Sequence, residues 1–125
     1  MFHPQILLAV ALGGSFGALV RYLAAAAVAT RGGAPMWATL AVNVVGSLLI
    51  GAAAAAAANG NLSPVAKAAI ISGFLGSLTT FSTYSLETMN LMREQRFGMA
   101  VAYALGSIVL GLVAAGIGWQ LTHRG

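Results

Sequence analysis

One long apolar run of this chain is interrupted by the segment Gly73-Phe-Leu-Gly-Ser-Leu-Thr-Thr-Phe-Ser-Thr-Tyr-Ser-Leu-Glu87. From Ser72 to Thr88 there are eight Ser or Thr side chains, and Glu87 is the only charged residue. In a membrane-spanning helix, polar side chains that face lipid are costly, so they favour a position that faces other helices or water. This density of neutral hydrogen-bond donors predicts a path for a small polar solute.

The composition around this segment is that of a membrane protein. Of the 125 residues, 59 % are hydrophobic and 6 % are charged, far below the charged share of about 25 % in soluble domains. Several uncharged stretches approach or exceed the roughly 20 residues that a membrane-crossing helix needs. We predict an all-α integral membrane protein with one four-helix membrane domain over residues 1–125. The predicted spans are residues 5–29, 36–58, 67–94 and 97–122.

The first span has an alternative interpretation as a cleaved signal peptide, because Ala27-Val28-Ala29 resembles a small-residue cleavage site. However, the residues before the apolar run contain no Lys or Arg, and Arg21 interrupts the run. Retention as a first membrane span fits the sequence better.

The chain has few groups for covalent or metal chemistry, since it has no Cys and no Asp, and its only acids are Glu87 and Glu94. This inventory excludes disulfides, thiolate chemistry and most metal cages, and we predict that the chain is not an enzyme. The net charge of +4 is interpreted as contact with lipid headgroups and not as nucleic-acid binding.

The charges at the ends of the spans give only a weak orientation signal. If the spans alternate, Lys67 and Arg124 lie on one side of the membrane, and Arg31, Arg93 and Arg96 lie on the other. Orientation follows the Lys/Arg excess, so this sequence is compatible with insertion in both directions and with an antiparallel two-fold dimer. C-terminal reporter fusions that are active on only one side of the membrane would contradict this hypothesis.

Small residues at four-residue spacing predict close contacts between helices. The spacings are Gly13-xxx-Gly17, Ser47-xxx-Gly51 and Gly98-xxx-Ala102-xxx-Gly106.

We predict that the third helix is broken in mid-membrane near Gly76 to Thr79, because glycines and threonines weaken the helix there. Unwound backbone at this depth survives only where it is buried in protein or lines a cavity. In transporters such carbonyls commonly hold a cation. The carbonyls of Gly76 and Thr79 are therefore a candidate Na⁺ site, which spacing alone does not decide.

Beyond the break, rings and hydroxyls recur at helical spacing along one face of the third span. The residues on this face and beside it are Phe81, Ser82, Thr83, Tyr84, Ser85 and Thr88. A single Ser or Thr hydroxyl commonly bonds back to the carbonyl four residues earlier. The clustering of these hydroxyls beside aromatic rings equally favours a polar path.

The second and fourth spans add donors at four-residue spacing: Thr39, Asn43 and Ser47 in one, and Tyr103 and Ser107 in the other. The Asn43 amide can donate two hydrogen bonds without carrying charge, which suits an anion; the alternative is an interhelical hydrogen bond for packing. Cation paths usually need carboxylates or aimed carbonyls. Since donors dominate here, the predicted solute is an anion.

Three motifs, one in each of the first three spans, cover much of the chain. They are Gly13-Gly14-xx-Gly17-Ala18-xx-Arg21-Tyr22, Thr39-Leu-xx-Asn43-xx-Gly46-Ser47 and Gly73-Phe-x-Gly76-xx-Thr79-Thr80-Phe81-Ser82-Thr83-x-Ser85-x-Glu87. Together they resemble the CrcB/Fluc family of small fluoride channels. The resemblance implies an antiparallel, dual-topology homodimer with two fluoride pores and a structural Na⁺ at the dimer axis.

The resemblance also implies roles for individual residues. The implied fluoride-pore residues are Asn43, Phe81, Ser82, Thr83, Tyr84, Tyr103 and Ser107. Arg21 and Glu87 would belong to a vestibule, and the backbone carbonyls of Gly76 and Thr79 would hold Na⁺. Tyr84 departs from the family pattern, in which a second phenylalanine is expected, and it adds a hydroxyl to the pore.

The implied function is a fluoride-selective channel that passively exports cytoplasmic fluoride and so reduces its toxicity. Its expected partners are fluoride, membrane lipid and a second copy of the chain, and its expected location is the inner (plasma) membrane of a prokaryote, crossed several times. One alternative is a proton-coupled multidrug exporter, which needs a carboxylate in the first span that this chain lacks. The other is a non-transporting membrane assembly protein, in which the clustered donors are packing groups.

Overall fold

The computed structural model describes residues 2–125, which form four long helices. They are span 1 (Pro4–Thr30), span 2 (Pro35–Ala58), span 3 (Pro64–Arg93) and span 4 (Phe97–Thr122). Each is long and apolar enough to cross a membrane. The prediction of an all-helical, multi-pass membrane protein with an interrupted third helix is confirmed.

The ends of the spans follow local sequence signals. Spans 1, 2 and 3 each begin with a proline in the first turn, where the missing N–H has no helical partner to lose. Spans 1 and 2 are followed by Gly32 (φ +74°) and Gly60 (φ +76°), the left-handed conformation that closes many helices. These turns are short, so consecutive spans are neighbours.

Two pairs of helices make the closest backbone contacts. Span 2 lies against span 4, where a Cβ atom on Gly51 would overlap the Ala115 carbonyl oxygen. Span 1 lies against the first half of span 3, where a Cβ atom on Gly17 would overlap the Phe74 carbonyl oxygen. Small residues permit this approach, which holds membrane helices together in the absence of a hydrophobic driving force.

The close helix contact predicted at Gly98 and Gly106 in span 4 is not formed within the chain. A Cβ atom on Gly98 or Gly106 would meet nothing within 4 Å, because this face of span 4 points away from the other helices of the chain. The contact with span 2 instead uses Gly118, whose Cβ atom would overlap the Leu48 carbonyl oxygen.

Span 3 is irregular along its whole first half. A short α-helical turn, Pro64–Lys67, widens into a π-helix over Ala68–Leu75 and narrows again at Gly76–Leu78. Thr79 (φ −85°, ψ 153°) and Thr80 (φ −148°, ψ 120°) are extended, and the second half is the α-helix Phe81–Arg93. We call residues 79–80 the break.

The break lies at the C-terminal end of the predicted region, because Gly76 remains helical with φ −62° and ψ −30°. Thr80 fixes the restart of the helix, since its side-chain oxygen accepts a hydrogen bond from the Thr83 N–H at 3.2 Å. This is an ordinary N-cap interaction, which satisfies a donor that the first helical turn leaves free.

Candidate functional site

The break is held by the side chain of Asn43 in span 2. Asn43 Nδ2 donates to the Thr80 carbonyl at 3.1 Å, and Asn43 Oδ1 accepts from the Thr80 N–H at 2.8 Å. The amide therefore satisfies both backbone groups of one extended residue, as a neighbouring strand would. An unpaired backbone group at this depth would be costly, so Asn43 is the group that makes the break tolerable in a membrane span.

Arg21 in span 1 binds the other side of the break. Its Nε donates to the Ser77 carbonyl at 2.9 Å, in the last helical turn of the first half of span 3. A cation is favourable here because the carbonyl end of a helix carries partial negative charge. Arg21 thus stabilises the end of this half-helix.

A cavity of about 320 Å³ lies between spans 1, 2 and 3, and we call it cavity A. Its polar lining consists of Arg21, Tyr22, Thr39, Thr80, Thr83 and Glu87. Cavity A therefore combines one guanidinium and one carboxylate with neutral hydroxyls.

Both oxygens of the Glu87 carboxylate accept hydrogen bonds. Thr39 Oγ1 donates to Oε1 at 2.8 Å, and the Tyr103 hydroxyl donates to Oε2 at 2.6 Å. Thr39 lies in span 2 and Tyr103 in span 4, so these bonds join both spans to span 3. Thr39 and Tyr103 are themselves buried. Within residues 2–125, the only salt bridge joins Arg96 and Glu94, both exposed, at 3.6 Å. Glu87 is thus held by hydroxyls and not by a cation.

A second cavity, of about 350 Å³, lies between spans 2, 3 and 4, and we call it cavity B. Its polar and aromatic lining consists of Asn43, Ser47, Thr79, Thr80, Phe81, Tyr84 and Ser107. Phe81 stands at its edge and is 80 % exposed. In a single chain, one wall of cavity B is therefore open.

Three aromatic rings form a row from the edge of cavity B to Tyr103, whose hydroxyl bonds to Glu87. The Tyr84 ring lies 5.7 Å from the Phe81 ring and 5.5 Å from the Tyr103 ring, between centroids, and both pairs are tilted by 38°. Tilted contacts at this range are favourable for aromatic pairs. The Tyr84 hydroxyl donates to the Ala104 carbonyl of span 4 at 2.9 Å, so it is not free to donate to a solute.

Ser107 differs from the other hydroxyls near cavity B. Its Oγ is buried and has no hydrogen-bond partner among the described residues. By contrast, the Ser47 hydroxyl donates to the Asn43 carbonyl at 2.6 Å, and the Thr79 hydroxyl donates to the Leu75 carbonyl at 2.9 Å. A buried donor without a partner is costly, which is typical of a group that binds a ligand or water.

Comparison with known proteins assigns the family. The model of the family described as "CrcB-like protein, Camphor Resistance (CrcB)" matches residues 8–119. The chain belongs to the CrcB family. This confirms the resemblance carried by the three sequence motifs.

Relatives of this CrcB protein share its sequence over nearly their whole length. A protein of Salinibacter ruber is 50 % identical over 115 residues, covering 90 % of this chain and 85 % of the relative. One from Hahella chejuensis is 45 % identical over 116 residues, covering 91 % of each. One from Thermus thermophilus is 44 % identical over 115 residues, covering 91 % of this chain and 92 % of the relative. Each of the three is named "Fluoride-specific ion channel FluC", the name of a channel and not of an enzyme.

In this CrcB protein, the residues that the sequence predicts for a pore are divided between two cavities. Asn43, Phe81, Tyr84 and Ser107 line cavity B, whereas Thr83 lines cavity A. The other two residues line neither cavity. Tyr103 is buried and donates to Glu87, and Ser82 is exposed.

The remaining assigned residues lie around the break. Arg21 and Glu87, predicted for the vestibule, both line cavity A. Of the two residues predicted to bind Na⁺, Thr79 lines cavity B, and Gly76, three residues earlier, is exposed. Thr80 was missed as a site residue although it lines both cavities; the pair Thr79-Thr80 before a helical segment is the N-cap signal that could have found it.

Proposed function

We propose that this protein is a fluoride-selective channel that passively exports cytoplasmic fluoride. The observation that carries the proposal is the 50 % identity, over 90 % of the chain, to a relative named as a fluoride-specific ion channel. The geometry supports it, because cavity B offers an amide, an unpartnered hydroxyl and aromatic edges beside a backbone break. Neither alternative, a multidrug exporter or an assembly protein, is favoured by these relatives.

The chemistry of cavity B suits a small anion that must lose water and then leave. Asn43 Nδ2 uses one hydrogen for the Thr80 carbonyl, which leaves its second hydrogen as a donor. The Ser107 hydroxyl is a second donor, and the edge of Phe81 is a weak positive surface. Since Glu87 is bonded to Thr39 and Tyr103 on the side of cavity A, cavity B has no carboxylate in its lining to repel the anion.

The transport is proposed to be passive and outward. Hydrogen fluoride crosses lipid as a neutral molecule and dissociates inside, so a negative-inside potential drives the trapped anion out through an open pathway. We place the protein in the inner membrane of a bacterium, where its many exposed apolar side chains contact lipid. Export of this kind reduces fluoride toxicity without a chemical step.

We further propose that the channel is an antiparallel homodimer with two pores. The support is the open wall of cavity B, since Phe81 is 80 % exposed at a position where an anion would need a complete shell of donors. A second copy would supply the missing wall, and a two-fold axis would generate a second, identical pore. The weak charge asymmetry of the loops fits insertion in both orientations.

We also propose a structural Na⁺ held by the backbone carbonyls of Gly76 and Thr79 from both copies. The local structure fits this ion: in a continuous helix the Thr80 N–H would bond to the Gly76 carbonyl, but here it donates to Asn43 instead. Carbonyls freed in this way are the usual ligands of Na⁺ in broken membrane helices. The ion would supply positive charge that holds two such breaks together.

Protein prepared throughout without Na⁺ is expected to unfold at a lower temperature, and adding Na⁺ should restore its stability. An ion that binds only the folded state contributes about 2.7 kcal/mol at a concentration one hundred times its Kd. Thermal unfolding in detergent, with N-methylglucamine and K⁺ as control cations, measures the effect. Identical unfolding temperatures in all three cations would contradict a Na⁺ site.

Liposomes that contain the purified protein are expected to lose fluoride rapidly and to retain chloride. Ion-selective electrodes measure both ions after a K⁺ ionophore is added to release the charge. Comparable chloride efflux would overturn selectivity, and no fluoride efflux would overturn the function itself. Efflux that needs a proton gradient would favour an exporter over a channel.

A further inference from the structure

Gly46 in span 2 is buried and lies directly against the side chain of Thr79, the first residue of the break. A Cβ atom on Gly46 would overlap Thr79 Cγ2, whereas its next neighbours, Leu78 Cδ2 and Thr79 Cβ, would both lie 3.8 Å away. That distance is an ordinary carbon–carbon contact. One methyl group, that of Thr79, therefore fills the space that the glycine leaves.

A hydrogen bond fixes the direction of this methyl group. The Thr79 hydroxyl donates to the Leu75 carbonyl at 2.9 Å, and the Thr79 N–H donates to the same oxygen at 3.2 Å. Rotation about the Cα–Cβ bond of Thr79 would break the bond from the hydroxyl, and a β-branched side chain has few other rotamers. The methyl group is therefore held against Gly46.

Gly46 and Asn43 lie one helical turn apart on the same face of span 2, and they contact successive residues of the break. Asn43 bonds both backbone groups of Thr80, and Gly46 receives the methyl group of Thr79. All four residues line cavity B. A larger residue at position 46 would push the break away from the Asn43 amide.

We propose that Gly46 and Thr79 are a positioning pair, whose shapes hold the break at the distance from span 2 at which cavity B conducts the anion. This inference rests on the proposed fluoride function. It gives the Thr79 side chain a role that is separate from that of its carbonyl, and it adds a residue, Gly46, that acts by its lack of a side chain.

The test moves one methyl group between the two residues and measures fluoride efflux from liposomes. Gly46→Ala is expected to slow efflux by about tenfold, because the added methyl group overpacks the contact. Thr79→Ser removes Cγ2 but keeps the hydroxyl that bonds to Leu75, and the gap that it leaves should slow efflux by about threefold.

The double variant decides the matter. Without Thr79 Cγ2, an alanine at position 46 has only the contacts at 3.8 Å and fills the gap. Gly46→Ala should therefore slow efflux when residue 79 is threonine and speed it when residue 79 is serine, a reversal that independent sites do not show. The comparison of Thr79→Ser with the double variant holds even where Gly46→Ala alone does not fold.

The rate for each channel separates positioning from general damage. At a low ratio of protein to lipid, the share of liposomes that empty counts the active assemblies, and the rate at which they empty measures the flux through each one. A contact that serves only folding changes the share, whereas a positioning pair also changes the rate.

Gly51→Ala is the matched control in span 2. Its Cβ atom would overlap the Ala115 carbonyl oxygen of span 4, which Thr79→Ser does not move, so Thr79→Ser should give no rescue of this variant. Equal rescue of Gly46→Ala and Gly51→Ala would overturn the inference.

Two further results separate the inference from the channel function. If the wild type conducts fluoride and Gly46→Ala slows each channel equally with threonine or serine at position 79, the positioning pair is wrong and the channel function stands. If the wild type does not conduct fluoride, the channel function fails, and the inference fails with it.

Discussion

Replacement of Asn43 by aspartate is expected to reduce fluoride efflux by about 100-fold or more, because a buried carbonyl loses its donor. The carboxylate can still accept from the Thr80 N–H, but it places a second oxygen against the Thr80 carbonyl, where Asn43 Nδ2 now donates at 3.1 Å. The variant also adds a negative charge to the lining of cavity B. Both changes act against an anion pathway at the break.

Asn59 provides a matched control for this substitution. Its Nδ2 donates to the Thr122 carbonyl at 3.0 Å and its Oδ1 accepts from the Arg124 N–H at 3.3 Å. This amide also bonds one backbone carbonyl and one backbone N–H, here of two residues at the far end of spans 2 and 4. Asn59→Asp should therefore leave efflux within about twofold of the wild type, since a site near water solvates the new charge. Equal efflux from Asn43→Asp and the wild type would show that the hydrogen bond from Asn43 to the Thr80 carbonyl is not needed for fluoride efflux.

The fate of the proposed dimer distinguishes a role of Asn43 in the fluoride pathway from a role in assembly. If Asn43→Asp still elutes as the wild-type assembly on size exclusion but loses fluoride efflux, the residue serves the pathway. If the assembly itself dissociates, the interpretation as a packing group for a non-transporting assembly protein gains support.

The number of spans and the interruption of the third could be predicted because both are local properties. Apolar length alone defines a membrane helix, and a cluster of Gly and Thr weakens it wherever it occurs. The sequence placed the break only approximately, near Gly76 to Thr79. It could not identify Thr80 as an extended residue, because Thr80 is held by Asn43, 37 residues earlier in the chain. Such a contact depends on which faces of spans 2 and 3 meet.

The division of the candidate pore residues between two cavities has the same physical origin. Phe81, Thr83 and Tyr84 are close in sequence, but a helical turn places Thr83 toward cavity A and the two rings toward cavity B. The sequence correctly indicates the chemistry of these side chains. It does not indicate that the Tyr84 hydroxyl reaches the Ala104 carbonyl, since the orientation of span 4 decides that contact.

The packing of small residues could be predicted only where a partner helix is present. Gly17 and Gly51 make close contacts as their spacing suggests, whereas Gly98 and Gly106 do not meet another helix of the chain. Periodicity identifies a smooth helix face, but it carries no information about what covers that face.

Gly118→Ala is expected to be the most destabilising single-methyl change in span 4, by about 3 kcal/mol, at the upper end of ordinary overpacking. The added Cβ atom would overlap the Leu48 carbonyl oxygen and lie 2.9 Å from the Ala52 backbone nitrogen. Neither is the end of a flexible side chain, so the two helices must move apart. Thermal unfolding in detergent measures the loss.

Gly116→Ala is the matched control, because its Cβ atom would meet nothing within 4 Å. Alanine is favoured over glycine in a helix by about 1 kcal/mol, so this variant should be as stable as the wild type or slightly more so. Equal unfolding temperatures for Gly118→Ala and Gly116→Ala would show that spans 2 and 4 can separate at no cost. Because Asn43 and Ser107 face cavity B from those two spans, a real separation should also weaken fluoride efflux in the protein that remains folded.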